Sequence, residues 1–387
     1  MPSGPPEQDL NSVEQPLSDA QLAEAKQYGG LELACSLADK ALDVAYLALM
    51  ALVFARPLAA WLHGAAWLPQ SATLELVCLG LITIAVHLAI SFPLSYYSGY
   101  VLERRFGLSK QSFGKWLVRY AKRNVLAIVF GLLLFVLLYW TIWLAGSAWW
   151  LVAAGGFFLI SVVLGQLFPV LILPLFYKIE RLDNPELSAR MARLADGTGL
   201  AIEGVYRLGM SAETEKANAM LAGIGRTRRV LMGDTLLDRF TPDEIEVIFA
   251  HEIGHHVFRH IHKMIVTGVV TSAAGFWLCD WLLMSWARQF DPAVTRADLP
   301  VYTLPLLMLV LTAFSLLLEP VQNAISRHYE RQCDRYALDR TGLDAAYVSA
   351  FRKLARINKD DPSPHPLEVL LFHSHPPIAE RLAMPRR

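Results

Sequence analysis

The sequence predicts an all-α, multi-pass membrane protein of about six transmembrane helices, with a small β-hairpin and one histidine-rich helix. Three observations predict it. The 387 residues are 54% apolar and only 18% charged, with a mean hydropathy of +0.36, well to the oily side of soluble domains. Several windows of about 20 residues are apolar enough to cross a bilayer. The segment from Ile248 to His260 reads IFAHEIGHHVFRH, four histidines and a glutamate in a mostly apolar run.

Taken in order, residues 1–30 are polar, and PSGPPEQDLNSVEQP offers nothing to bury, so a poorly ordered N-terminus is expected. Spans are expected at 41–62, 74–97, 124–145 and 149–176. The first begins well past the N-terminus and lacks a basic n-region, which argues against a cleaved signal peptide. Pro93, Pro169 and Pro174 fall inside spans, where a bundle tolerates them as kinks. From Glu215 to Leu237 two β-prone runs flank GIGRTRR, a hairpin pattern. Two further spans are expected at 264–286 and 301–319, followed by a polar tail. Asp43, Arg56, Glu75, His87, Gln166, Asp280 and Glu319 lie within or at the ends of these runs. Lipid exposure would be costly for them, so they either line a wet cavity between spans or mark span ends.

Lys+Arg and Asp+Glu balance at 35 each, and no basic tract with interleaved aromatics occurs, so no nucleic-acid partner is expected. Cys35, Cys78, Cys279 and Cys333 are scattered and suggest no disulfide framework. The loop after the second span carries Arg104, Arg105, Lys110, Lys115, Arg119, Lys122 and Arg123, which makes it cytoplasmic. Counting alternately, the N-terminus, residues 177–263 and the tail after 320 share that side. Arg288 and Arg296, in the remaining external loop, break the rule mildly.

The histidine-rich run should be helical, because Thr241 can cap, Pro242 suits the first helical position and Glu244 completes a capping box. On that helix His251 and His255 share a face, with Glu252 beside them, which is the geometry of a zinc site. HExxH turns up by chance in such a chain at a rate on the order of one per cent. Two spans separate His255 from SRHYERQCDRYALD, so the chain returns to the side it left and Glu330 can meet the histidines. A catalytic zinc takes three protein ligands and an open position, and two His plus one Glu is a standard set. Asp334, one turn on, can orient a ligating imidazole. Periodicity does not rank the two carboxylates, His328 and His375 are rival donors, and with Arg327, Arg331 and Arg335 adjacent the plain alternative is a solvated ion-pair face. In the chemistry such a site performs, the metal polarises a carbonyl and activates water while Glu252 moves the proton. His375 and Arg381 are candidate donors to the developing oxyanion, though His375 beside Pro376 and Pro377 reads equally as a surface histidine. His256 and His260, about 100° round a continuous helix from the metal face, read as packing or interfacial residues.

These residues resemble a known family. GYVLERRFGLSKQ, FPVLILPLFYKIERL, KANAMLAGIGRTRRVLMGDTLL, AHEIGHH, NAISRHYERQCD and HSHPPIAER occur in the order found in the type I CAAX prenyl endopeptidases. Those are integral-membrane zinc metallopeptidases, and they include bacterial membrane quality-control proteases. The resemblance runs from about residue 90 to the end. It implies a zincin-like catalytic helix core with one Zn2+ per chain on His251, His255 and Glu330, and Glu252 as base. It further implies Asp334 as partner of a ligand histidine, His375 near the reacting carbonyl, and Asn218, Ala219 and Gly223 on a strand edge that holds substrate. Eukaryotic members carry an additional N-terminal span, and the first forty residues here contain none.

The expected organisation is therefore an N-terminus (1–30), a four-span region (31–176), a catalytic segment with hairpin and HExxH helix (177–263), a two-span hairpin (264–319) and a C-terminal catalytic segment (320–387). The expected partners are a peptide or protein substrate, lipidated or not, and the bilayer. As a bacterial-type member the chain would lie in the inner membrane with its site facing the cytoplasm, or in the endoplasmic reticulum of a eukaryote. Prenyl-protease-like processing and membrane quality control share this chemistry. A metal-binding scaffold or transporter is the remote alternative, and it would need the ligands but not Glu252.

Overall fold

The computed structural model describes residues 17–200, 202–222 and 228–385. Ser18 and Gln21 form a capping box at the start of α1 (Asp19–Leu49), which runs through a π-helical turn at Met50–Phe54 into α2 (Ala55–His63). The stretch expected to be poorly ordered is thus helical from Asp19 onward. Its polar residues supply the cap, and its Tyr28 is buried edge-on against Phe106, ring centroids 5.3 Å apart. Residues 1–16 lie outside the described residues.

Helix α3 (Ala72–Tyr96) contains Pro93 and continues through a π-helical turn into α4 (Glu103–Arg105). Helices α5 (Phe113–Ala145) and α6 (Trp149–Leu167) are joined by the turn Gly146–Ala148, where Gly146 adopts φ 57°, ψ −127°, a backbone open in practice only to glycine. Among the described residues five unbroken apolar helical stretches reach membrane length, and the 63-residue one, Phe113–Leu175, holds both α5 and α6. The expected six crossings are accounted for in this way, the first inside the longer rod Asp19–His63.

The polar segment then supplies β1 (Ile179–Arg181), α7 (Pro185–Ala195), β2 (Gly204–Leu208), β3 (Ala219–Ala222), β4 (Arg229–Gly233), α8 (Asp234–Leu237) and α9 (Pro242–Val257). The chain continues as the membrane helix α10 (His260–Ala287), the long α11 (Leu304–Thr341), α12 (Asp344–Asn358), α13 (Pro366–Phe372) and α14 (Ile378–Leu382). The anticipated hairpin is present as antiparallel β3 and β4, paired from Ala219 with Met232 to Ala222 with Arg229. It is half of a four-stranded sheet of order β1-β2-β4-β3, in which β2 runs parallel to β4. Strand β3 is therefore an edge strand.

One apolar core lies among the membrane helices, around Tyr139, Ile142, Trp149, Leu283, Leu304 and Leu307, and a second lies under the sheet, around Val230, Met232, Val247, Phe249, Ile253 and Tyr347. Polar ties hold the two regions together. Lys216, just before β3, donates to the Tyr28 hydroxyl at 2.9 Å and lies 3.3 Å from Glu103, while Glu215 pairs with Lys110 at 2.6 Å and Glu213 with Arg119.

The close approach of α9 and α11 fixes everything that follows. A Cβ on Gly254 would lie 3.0 Å from the Cys333 Cα and 3.1 Å from its Sγ, so the helices touch backbone to backbone at this point. A larger residue must push them apart. Gly254→Ala is expected to cost about 1–3 kcal/mol of stability, read as a lowered thermal midpoint in detergent; an unchanged midpoint would show that the contact does not set the helix spacing.

Candidate active site

Helix α9 is anchored at its start. Thr241 accepts from the Glu244 N–H, and Glu244 in turn accepts from Lys353 Nζ at 2.7 Å and Ser349 Oγ at 2.5 Å, tying the helix to α12. Two turns on, His251 and His255 face α11, with ring centroids 5.2 Å apart. His251 Nε2 lies 3.2 Å from Glu330 Oε2, and His255 Nε2 lies 3.3 Å from Glu330 Oε1. The topology argument for Glu330 is thus matched by an actual meeting of the three side chains. Glu330 is only 5% exposed, and its Oε2 has no hydrogen-bond partner.

A buried, unsatisfied carboxylate oxygen facing two imidazole nitrogens calls for a cation. The charge balance points the same way. Burial disfavours the His251 imidazolium, yet the hydrogen bond to Asp334 and the nearby Glu330 carboxylate outweigh this and raise its pKa to about 9. Cys333 also comes within 4.8 Å of the two histidines as a possible metal ligand. Its sulfur, however, packs at Gly254 and lies 3.6 Å from His260 Nδ1, while both Nε2 atoms turn to Glu330. The residues present fit a zinc ion held by two imidazoles and a carboxylate. Glu252 sits beside them; burial pushes its carboxyl up, partly offset by His251 and His255.

Behind the histidines, Asp334 is fully buried and accepts from His251 Nδ1 at 2.9 Å. Arg381, 6% exposed, donates to both Asp334 oxygens at 2.9 and 2.5 Å and stacks on Phe351, 3.9 Å from the ring centroid. Its guanidinium lies 3.8 Å from Glu330 Oε2 but is occupied by Asp334. His375 is at the mouth, its side chain 63% exposed and its Nε2 3.6 Å from Glu330 Oε2. Two of the arginines that suggested an ion-pair face are engaged by the tail of the chain. Arg331 binds Glu380, and Arg327 donates to the carbonyls of Val369 and His373, which fastens the tail carrying His375 and Arg381 onto α11. His328, the other rival donor, is exposed and lines a groove with Arg331 and Arg335.

One reading from sequence fails. His260 was expected to pack about 100° from the metal face on a continuous helix. Helix α9 instead ends at Val257, Arg259 takes the left-handed φ of 55°, and α10 begins at His260 in a new direction. His260 Nδ1 consequently lies 3.2 Å from His255 Nδ1, and Gln332 Oε1 lies 2.9 Å from His260 Nε2. No glycine marks this reversal, so only the recurrence of histidine five places after His255 was available as a signal. His256 does point elsewhere and accepts from Arg228 at 2.7 Å.

Ala219 lies in the edge strand β3, and the Asn218 carbonyl accepts from the Gly233 N–H at 2.9 Å, so Asn218 continues the pairing with β4. Gly223 lies outside the described residues. Between α1, α3 and α5 runs a cavity of about 880 Å³ with mixed walls, Glu32, Asp39 and Arg119 on one hand and Trp116, Phe168 and Phe176 on the other. Other ionisable groups in the spans find protein partners: Asp43 with His87, Lys40 with Glu319, and Asp280 with Arg296.

A helix that turns two imidazoles toward a buried carboxylate, with an acid beside them and a bundle of membrane-length helices attached, defines a class, the membrane-embedded metallopeptidases. The sequence pattern of peptidase family M48 matches residues 181–386, and that of the CAAX prenyl protease N-terminal region, five membrane helices, matches residues 5–178. The described part of the latter stretch supplies four membrane-length rods, namely α1 with α2, α3, α5 and α6. The chain is 31% identical to the uncharacterized metalloprotease YhfN of Bacillus subtilis over 300 residues, covering 76% of this chain and 69% of that one. It is 28% identical to CAAX prenyl protease 1 of Saccharomyces cerevisiae over 325 residues, 80% of this chain and 71% of that one. In fold it is similar to the crystal structure of S. mikatae Ste24p, with a TM-score of 0.80 at 24% identity, covering 95% of this chain and 89% of that one. The chain belongs to peptidase family M48 and is a multi-pass membrane zinc metalloendopeptidase.

Arg381 neutralises a fully buried carboxylate. Removing one partner of such a pair is expected to destabilise by about 3–5 kcal/mol, so Arg381→Ala should unfold markedly earlier in denaturant than the parent. Parent-like unfolding would mean that Asp334 does not depend on the guanidinium.

Proposed function

We propose that His251, His255 and Glu330 hold one zinc ion per chain and that Glu252 is the base in peptide-bond hydrolysis at this site. The observation that carries it is the meeting of both Nε2 atoms with a buried Glu330 carboxylate whose Oε2 is otherwise unsatisfied. When bound, zinc supplies Lewis-acid polarisation of the scissile carbonyl and acidifies water. The chain does the rest. Glu252, its carboxyl raised by burial, accepts a proton from the attacking water and passes it to the leaving amine. His375, at the mouth, donates to the carbonyl oxygen as charge develops there. Asp334 holds His251 through Nδ1, and Arg381 acts on substrate only through Asp334 and Glu330.

The substrate backbone is taken to pair with the free edge of β3, the strand that holds Ala219 and follows Asn218, with Gly223 next in the chain as a further candidate contact. Such pairing ignores side-chain identity, so specificity must come from elsewhere. The relatives named CAAX prenyl proteases support C-terminal CaaX-type peptides or proteins as substrates, with a lipid chain entering the bundle along the aromatic wall of the cavity between α1, α3 and α5, Trp116, Tyr120, Phe168 and Phe176. The basic loop of residues 104–123 supports an orientation with the site in the cytoplasm, in a bacterial inner membrane or, in a eukaryote, the endoplasmic reticulum. Segments 177–263 and 320–387 act together as the catalytic unit, with 31–176 and 264–319 as its membrane frame.

Two measurements test this. In metal analysis of purified variants, Glu252→Gln and His375→Ala should keep about one zinc per chain while losing turnover, Glu252→Gln by several orders of magnitude. Glu330→Ala should be largely zinc-free after dialysis, and Asp334→Ala should retain metal with a loss of about 10–100-fold in affinity or rate. Firm zinc binding by Glu330→Ala would refute the coordination sphere. For substrate, matched prenylated and unprenylated CaaX peptides should differ in kcat/KM by tenfold or more in favour of the lipidated form; equal values would refute the lipid requirement and leave the peptidase chemistry intact.

A further inference from the structure

We propose that His260, backed by Gln332, is the positioning residue for His255, fixing the tautomer in which that histidine serves as a ligand. The proposal rests on the reading of His255 as a ligand through Nε2, the nitrogen 3.3 Å from Glu330. A neutral imidazole that gives Nε2 to a metal keeps its proton on Nδ1, and that proton needs an acceptor. The atom that faces it, at 3.2 Å, is His260 Nδ1. His260 can accept there only if its own proton sits on Nε2, and at 2.9 Å from Nε2 stands Gln332 Oε1, an acceptor. The remaining neighbour of His260 Nδ1 is Cys333 Sγ at 3.6 Å, which as a neutral thiol is also a donor. Every group around that nitrogen thus offers a hydrogen, and the chain of protons runs one way, from His255 to His260 to Gln332.

The surroundings hold this arrangement. His260 is fully buried, and its ring stacks on Tyr329 with centroids 4.1 Å apart and planes 12° from parallel. The left-handed Arg259 aims it, since one helix ends before that residue and the next starts immediately after. Tyr329, Gln332 and Cys333 belong to the same helix as Glu330, so α11 supplies one ligand and also the lock on another.

The two histidines are consequently oriented by different charges. His251 donates to an anion, Asp334, which Arg381 neutralises. His255 donates to an uncharged ring. A fourth carboxylate set against His255, beside Glu330, Glu252 and Asp334, would add repulsion in a buried space, and the neutral relay supplies orientation without it.

The experiment uses the full-length protein in detergent, with zinc affinity measured by chelator competition and geometry by the visible spectrum of cobalt-loaded samples. His260→Phe keeps the ring stack but has no acceptor, so its zinc binding is expected to weaken about 10–100-fold, with a shifted cobalt spectrum. His260→Asn, whose Oδ1 falls near the position of Nδ1, should recover most of that loss. Gln332→Leu should weaken zinc binding several-fold, and Gln332→Glu, still an acceptor, should match the parent or exceed it. Parent-like affinity in His260→Phe, or equal losses in His260→Phe and His260→Asn, would overturn the proposal in favour of simple packing. If His260→Phe does not fold, equal affinities of Gln332→Leu and Gln332→Glu overturn it instead. His255→Ala separates the two levels: firm zinc binding in that variant would defeat the ligand assignment itself, whereas severe loss there with none in His260→Phe defeats only the relay.

Discussion

Two carboxylates one turn apart on α11 are buried almost completely, and the rest of the site is organised around them. An isolated ionised carboxylate in such surroundings would cost several kcal/mol, so each must find positive charge or hydrogen-bond donors. Asp334 finds Arg381 and His251; Glu330 has His251, His255 and, more distantly, His375 and Arg381. Those partners come from α9, from the last short helix and from the segment before it. The need to satisfy one face of one helix therefore draws three separate parts of the chain to a single point. Gly254 permits the approach, because a side chain there would hold α9 away from α11.

Much of this was legible in the sequence because each signal was local. HExxH, its capping box and the apolar windows are patterns within one helix, and helical periodicity translates them directly into faces. Glu330 needed one further step, the parity of membrane crossings. What escaped depended on backbone events with no compositional mark. The reversal at Arg259 uses a non-glycine residue in the left-handed region, so nothing in VFRHIH warned that His260 would swing back to His255. Strands β1 and β2 are three and five residues long and draw their stability from neighbours far along the chain, so they left no alternation to read. The N-terminal helix was missed because its first turns are polar; they are ordered by a cap and by contacts with residues some 75 positions away, such as Tyr28 to Glu103.

Within the membrane the same economy of charge recurs. Asp43 with His87, Lys40 with Glu319 and Asp280 with Arg296 are each paired inside or at the ends of apolar helices. Polar groups at that depth mark either a packed tie or a wetted wall. Here the ties gather at α1 and α11 and toward the C-terminal end of α10, whereas the cavity between α1, α3 and α5 keeps Glu32, Asp39 and Arg119 on its lining. The loop before β3 joins the two worlds, since Glu213, Glu215 and Lys216 reach three different places in the membrane frame.

The long reach of these contacts has a consequence for the birth of the molecule. His251 and Asp334 stand 83 positions apart, and Arg381 meets Asp334 from 47 positions further on. A ribosome that has made the HExxH helix has made only half of a metal site, and two more membrane helices must be inserted before Glu330 can turn toward it. Until Arg381 emerges, Asp334 lacks its guanidinium, and until His375 emerges the mouth lacks its histidine. Any hydrolysis at the proposed site must therefore wait until the chain on both sides of the last two membrane helices has been made.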